Sequence, residues 1–292
     1  ADWEMIISVG MPVSVDQAVF NAAVTIFRGS ILSVTPKTYL PEYREFYEMR
    51  YFAQASEAKC ESISLCGQDV PFGTDILIHG SHPDAIIYPT ICEDDWTPVP
   101  PSSRAALAGA TILANLSASN IVIGKAAYRE SLIVGSSARN QAAHLYAAAG
   151  FGESTTDLAW DGHAFIADRG YLITSTERFH MGGAHAVADI DLEALVYERG
   201  HQSSFRQNAS DYHTSWRHVT CPESQDHCPR ASDIYQVVQR HITAHPFVPD
   251  ETAARDERCK EVFMIQSTSL AQRLMSLPEN MRKLVVAVSG GQ

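Results

Sequence analysis

A cysteine at the end of an apolar run is the residue best placed for chemistry. Ala85 to Ile91 reads as a buried strand, and Cys92 follows it, succeeded at once by Glu93, Asp94, Asp95 and Trp96. A strand end delivers a side chain to the rim of a sheet, where α/β proteins form their clefts. The thiolate is the nucleophilic form of cysteine, and three acidic neighbours oppose it. A reactive Cys92 therefore requires a cation and a base from elsewhere in the chain. By itself it reads equally as a small buried apolar group. Lys37 is the candidate cation. It stands in Pro36-Lys37-Thr38-Tyr39-Leu40-Pro41, held between two prolines at the end of a hairpin strand, and precedes a dense aromatic and charged segment from Tyr43 to Phe52. A lone lysine is usually a solvated surface group, and this is unusual company for one.

A second cluster of polar ligands lies at His213, His218, Cys221, His227 and Cys228. Its spacings match no usual zinc pattern, so a polar excursion with incidental His and Cys is the plainer reading, and no metal is expected. The six cysteines contain no CxxC pair. A chain of this length needs no disulfide staples, which fits a reducing, cytoplasmic setting.

The elements that must position Cys92 and Lys37 follow from the apolar periodicity. Met5 to Val9 reads as a strand, and Ala22 to Phe27 and Ser30 to Thr35 flank the turn Arg28-Gly29, a hairpin signal. Asp75 to His79, Ala85 to Ile91 and Thr111 to Leu116 are short aliphatic strands. Pro100-Pro101-Ser102-Ser103 opens a helix carried by Arg104 to Ala108. Lys125 to Asn140 has a helical pattern, and Ala142 to Ala149 suits a strand, although its alanines also permit helix. Gly162 to Ala167 and Tyr171 to Ser175 pair across Asp168-Arg169-Gly170; Val187 to Ile190 reads as a strand and Leu192 to Arg199 as a short helix. Gly200 to Pro229 is polar and aperiodic, a linker or exposed loop. Glu257 to Leu277 places Val262, Phe263, Leu270 and Leu274 near one helix face, and Leu284 to Val288 closes as a strand. Strand–helix alternation mixed with hairpins implies a mixed α/β sandwich.

Composition limits the partners. Of 292 residues, 45% are hydrophobic and 19% charged, which supports a folded core. The net charge of −12 argues against nucleic acid or an anionic membrane surface as partner. No apolar run reaches the roughly 18 residues of a membrane helix.

The segments around both candidate residues carry a resemblance. Pro36 to Phe52 is similar to the lysine segment of the nitrilase-type (carbon–nitrogen hydrolase) glutaminase domain of glutamine-dependent NAD synthetases. Ile91-Cys92-Glu93-Asp94-Asp95-Trp96, followed by Pro100-Pro101-Ser102 and Ala105 to Ala110, resembles their nucleophile segment. Asn115-Leu116-Ser117-Ala118-Ser119-Asn120, Gly124-Lys125 and Tyr128-Arg129 follow in the same order. His245 to Pro249 and Arg258 to Val262 resemble the connection into the synthetase domain, and Leu284 to Gly291 the strand and start of its phosphate loop.

The resemblance implies an α-β-β-α sandwich and a Glu–Lys–Cys triad. Cys92 would be the nucleophile, Lys37 the catalytic lysine, and Glu48 the additional glutamate orienting the lysine, with Glu45 as its fallback. Tyr43, Ser119 and Lys125, with Glu93 as a weaker candidate, would bind glutamine; Lys125 stands where arginine is more usual. Ser289, Gly290 and Gly291 would begin the ATP loop. ATP and Mg are expected only for the synthetase domain, with no cofactor in the glutaminase domain. The general-base glutamate belongs to a segment upstream of Met5. The chain is accordingly expected to be an internal fragment whose sandwich lacks its first strand. It divides into a glutaminase domain (1–199), a linker (200–255) and the start of a synthetase domain (256–292). L-glutamine, the synthetase domain and further copies of the chain are the expected partners. A stand-alone amidase of the same superfamily and an inactive assembly module are the alternatives.

Overall fold

The computed structural model describes residues 5–154, 158–212, 215–222, 238–243 and 252–286. The first of two compact units spans Ala1–Arg240. Within it a three-stranded antiparallel sheet is built from β1 (Ile6–Val15), β2 (Ala18–Phe27) and β3 (Ser30–Pro36), in that order. Arg28 and Gly29 make the β2–β3 turn with φ of 48° and 81°, a left-handed pair whose twist suits two adjacent strands. A small hairpin, β4 (Ser62–Leu65) and β5 (Gln68–Pro71), covers one face of this sheet. Phe20, Ala22, Val24 and Val34 meet Val70 and Phe72 there. That hairpin was not anticipated from the sequence.

The larger sheet has seven strands in the order β11-β10-β9-β8-β7-β6-β12. They are β6 (Ile76–His79), β7 (Ile86–Ile91), β8 (Ile112–Ser117), β9 (Ala143–Ala148), β10 (Ala164–Asp168), β11 (Tyr171–Ser175) and β12 (Arg217–Thr220). The central strands β7, β8 and β9 run parallel, with Ile91 beside Leu116 and Ser117 beside Ala148, so their C-terminal ends lie at one rim. Helices α1 (Pro101–Leu107) and α2 (Lys125–Asn140) pack on this sheet. The other face of the smaller sheet meets the larger one: Phe27 and Leu32 pack with Ile78 and Cys221, and Ala23 with Ile91 and Cys92. The result is a mixed α/β sandwich with two sheets at its centre.

Three expectations need correction. The Gly200 to Pro229 stretch is not a loop where it is described: α3 (Leu192–His201) is followed by α4 (Ser203–Asp211) and then by β12, which pairs in parallel with β6, while residues 213–214 and 223–229 lie outside the described residues. The segment looks aperiodic because its elements are short and mostly exposed. β12 is held by Arg217, whose guanidinium donates to the Asp75 carboxylate and to the Glu61 and Phe72 carbonyls. Val187 to Ile190 joins no ladder; Asp189 instead exchanges two hydrogen bonds with Gln239. Of the strand expected over Leu284 to Val288, residues 284–286 have no regular structure and residues 287–288 lie outside the described residues. The second unit, His241–Gln292, contains α5 (Thr252–Met275), where the sequence pattern places a helix.

Candidate active site

Strand β7 ends at Ile91, and Cys92 begins a 3-10 turn that runs to Trp96. Cys92 has φ of +45°, a left-handed conformation uncommon for a residue with a side chain. The strained turn changes the chain direction at the end of the sheet, and Asn115 on β8 braces it by donating to the Cys92 carbonyl (3.4 Å). The thiol is buried and abuts the three-stranded sheet at Ala23. Ala23 is small, which lets the two sheets approach here.

Lys37 comes from that other sheet, one residue past β3. Its N–H donates to the Asn21 carbonyl (2.8 Å) and its own carbonyl accepts from Ala55 (3.1 Å). The residue is only 1% exposed, and its ammonium lies 2.5 Å from Glu48 Oε2. This is the buried position that its proline-bounded setting suggested. Glu45 takes a different part, accepting from Asn120 Nδ2 (2.6 Å), so Glu48 and not Glu45 pairs with the lysine.

Cys92, Lys37 and Glu48 line one cleft of about 1190 Å³, together with Tyr43, Glu93, Ser119 and Lys125. The structure thus brings all seven side chains singled out from the sequence into one cavity. Ser289, Gly290 and Gly291 lie outside the described residues, as do His213, His227 and Cys228. Among the described residues no group of three His, Cys, Asp or Glu side chains is arranged to hold a metal.

Two oppositely charged ends face this cleft. Tyr43 donates its hydroxyl across both oxygens of Glu93, at 3.0 Å each. Burial and the Glu93 carboxylate push the phenol up to about 12, so the phenol keeps its proton. Burial also raises Glu93, against the pull of Tyr43 and Lys37. On the other side Lys125 donates to Asn120 Oδ1 (2.8 Å) and lies over the rings of Phe46 (5.6 Å) and Trp96 (5.4 Å). Burial lowers its pKa, while the surrounding anionic groups favour its charge.

The electrostatics of the thiol are legible in the same terms. Burial raises Cys92 above an ordinary thiol; the Lys37 ammonium and a hydrogen bond from Ser117 oppose this, and Glu48 and Glu93 add to it. Of its three acidic neighbours, only Glu93 enters the cleft. Asp94 and Asp95 turn inward. Burial works against the Asp95 charge, but His144 (3.1 Å), Ser102 (2.5 Å) and Thr90 (2.7 Å) outweigh it and hold the carboxyl low. Ser117 in turn accepts from Tyr146 (2.8 Å), whose ring lies 5.3 Å from the fully buried Arg129 guanidinium, which pairs with Asp161 at 2.5 Å. Sequence reading assigned no role to Ser117, Asn120 or Asp94. Their neighbours in space come from other segments, and no local pattern announces them.

No protein-family model matches the chain. Over its full length the chain is 43% identical to the glutamine-dependent NAD(+) synthetase of Mycobacterium tuberculosis and 40% identical to that of Mycobacterium leprae, and it covers 42% of each. The chain therefore spans less than half the length of these relatives. A glutamine-dependent NAD(+) synthetase from Cytophaga hutchinsonii superimposes with a TM-score of 0.50 at 28% identity, over 60% of this chain and 28% of that one. A carbon-nitrogen hydrolase from Helicobacter pylori superimposes with a TM-score of 0.54 at 18% identity, over 71% of this chain and 69% of that one, a likeness of fold. A relationship in sequence over the whole of this chain and a shared sandwich lead to one conclusion: the chain is a relative of the glutamine-dependent NAD(+) synthetases and has the fold seen in a carbon-nitrogen hydrolase.

Proposed function

We propose that this chain is the glutaminase portion of a glutamine-dependent NAD synthetase and that Cys92 attacks the side-chain amide of L-glutamine. The observation that carries this reading is the meeting of a strand-end thiol and a buried ammonium, Lys37, from the opposite sheet in one cleft. The cleft's polar ends match a free amino acid. Lys125 takes the α-carboxylate as a single point charge, without the bidentate fork an arginine would offer. Glu93, steadied by Tyr43, takes the α-ammonium, and Ser119 lines the same wall.

Because burial keeps the thiol neutral at pH 7, its proton must leave as the sulfur attacks. The Cys92 Sγ–carbon bond forms and a tetrahedral oxyanion develops. The Lys37 ammonium stabilises that charge; a preorganised donor of this kind is worth about 3 kcal/mol. Glu48 holds Lys37 in place through the ion pair. The carbon–nitrogen bond then breaks, the thiol proton leaves on ammonia, and a γ-glutamyl thioester remains. Water hydrolyses it to glutamate and restores the thiol. In the whole protein the ammonia serves ATP- and Mg-dependent amidation of nicotinic acid adenine dinucleotide to NAD by a synthetase domain that begins near Arg258. The protein works in the cytoplasm and self-associates. None of the described helices is long and apolar enough to cross a membrane.

A glutamine-like diazoketone tests the site directly. It should add one mass label at Cys92 and none at the other cysteines, and Cys92→Ala should abolish both labelling and ammonia release. Labelling spread over Cys66 and Cys259, both exposed, would refute the assignment.

A further inference from the structure

Asp94 is 3% exposed and faces away from the cleft. Its Oδ1 accepts the backbone N–H groups of Thr38 (3.0 Å) and Tyr39 (2.9 Å), and its Oδ2 accepts that of Ile91 (3.2 Å). Thr38 immediately follows Lys37, and Ile91 immediately precedes Cys92. One carboxylate therefore joins the backbone beside the ammonium to the backbone beside the sulfur, across 55 and 56 residues of sequence.

The need for such a tie follows from the fold. Lys37 is anchored to the three-stranded sheet through Asn21, whereas Cys92 belongs to the seven-stranded sheet. At the site those sheets meet through Ala23, Ile91 and Leu116. Apolar packing is non-directional and fixes the spacing of two layers better than their lateral register. Directional hydrogen bonds fix the register.

We propose that Asp94 is a positioning residue: its carboxylate locks the Lys37 turn to the Cys92 turn and so sets the place of the ammonium relative to the sulfur. This rests on the roles of Cys92 and Lys37 proposed above. The charge of Asp94 is held at a cost. Burial pushes the carboxyl up to about 7, the backbone donors Tyr39 and Ile91 pull it down, Asp95 raises it and Lys37 lowers it. The Tyr88 phenol, which also feels this carboxylate, is raised by burial and stays neutral. A carboxylate buried with no cation in contact is costly to desolvate, which offsets part of what Asp94→Asn loses when its amide N–H meets a backbone donor, so the net loss of stability is limited. Loss of the anion should therefore weaken the tie without unfolding the chain.

The test is the rate of Cys92 labelling by the diazoketone in the full chain at pH 6 and pH 8, read beside thermal melting. Asp94→Asn keeps one acceptor oxygen but turns an amide N–H towards a backbone donor. Its labelling at pH 8 should fall about tenfold or more, with the chain still folded at the assay temperature and the melting midpoint lowered by about 10 °C at most. From pH 8 to pH 6 the wild-type rate should fall by about a further tenfold relative to Asp94→Asn, because the tie is lost as the carboxyl gains its proton through pH 7. Labelling of Asp94→Asn within about twofold of wild type would overturn the proposal. So would a labelling loss that tracks a melting loss while the two pH profiles stay parallel. Should Asp94→Asn fail to fold, the wild-type profile decides: a fall no steeper than ionisation of a single thiol overturns the proposal, and a steeper one near pH 7 supports it. A wild-type chain unlabelled at Cys92 would instead sink the site assignment itself.

Discussion

At the scale of single residues, the chemistry turns on how a buried thiol is made to ionise. Burial raises Cys92, and Lys37 is the largest opposing influence. Alkylation of Cys92 by iodoacetamide should accordingly rise with pH and reach half its maximum above the ordinary thiol range. Lys37→Met should move that midpoint higher still, since it removes the cation that favours the thiolate; a midpoint shifted downwards would contradict the assignment of charges. Lys37→Met should also cut diazoketone labelling by about a hundredfold or more, as loss of one oxyanion donor does elsewhere. Its stability effect should be moderate, because Glu48, a quarter exposed, can regain water when its partner is lost.

At the scale of elements, two arginines attach the C-terminal part of the sandwich to its centre. Arg199, on α3, donates to the carbonyls of Gln141 (2.9 Å), Ala110 (2.6 Å) and Asn140 (3.0 Å), the last turn of α2 and the connection after α1. Among the described residues it has no carboxylate partner, and burial lowers its pKa to about 10. A guanidinium satisfying carbonyls left open at helix ends is a specific fastening. Arg199→Ala should strip several carbonyls of their donor and reduce stability by about 2–4 kcal/mol, measured by urea unfolding, with Cys92 labelling in the native state unchanged. Arg217 plays the corresponding part for β12, tying the edge strand to Asp75.

At the scale of the whole molecule, the larger compact unit runs through Arg240 and holds every described side chain of the cleft. A chain ended after Arg240 should therefore melt in a single cooperative transition and retain diazoketone labelling at Cys92 at about the wild-type rate. Loss of labelling in such a chain, with the fold retained by circular dichroism, would mean that the later segment shapes the site. The net charge of −12 belongs to this scale as well, because it sets which partners approach. Binding to duplex DNA at physiological salt should be undetectable by gel shift.

Local signals sufficed wherever a pattern and its turn chemistry agree. The Arg28-Gly29 and Asp168-Arg169-Gly170 hairpins, the α2 boundaries at Lys125 and Asn140, and the central aliphatic strands could all be read from the sequence because each depends on nearby residues alone. Residue type and setting also picked out Cys92 and Lys37, and the motif resemblance added Glu48, Tyr43, Glu93, Ser119 and Lys125. The sequence could not separate Glu48 from Glu45 on physical grounds, since both lie near Lys37 along the chain; only the turn over residues 41–51 settles which one reaches the ammonium. It gave β12 no signal either, because a four-residue edge strand is defined by the strand it joins. Asp94 is the sharpest case. As one of three adjacent acids it reads as a burden on the thiol, yet in the folded chain it faces the opposite sheet, and its partners are backbone groups that no side-chain pattern can reveal.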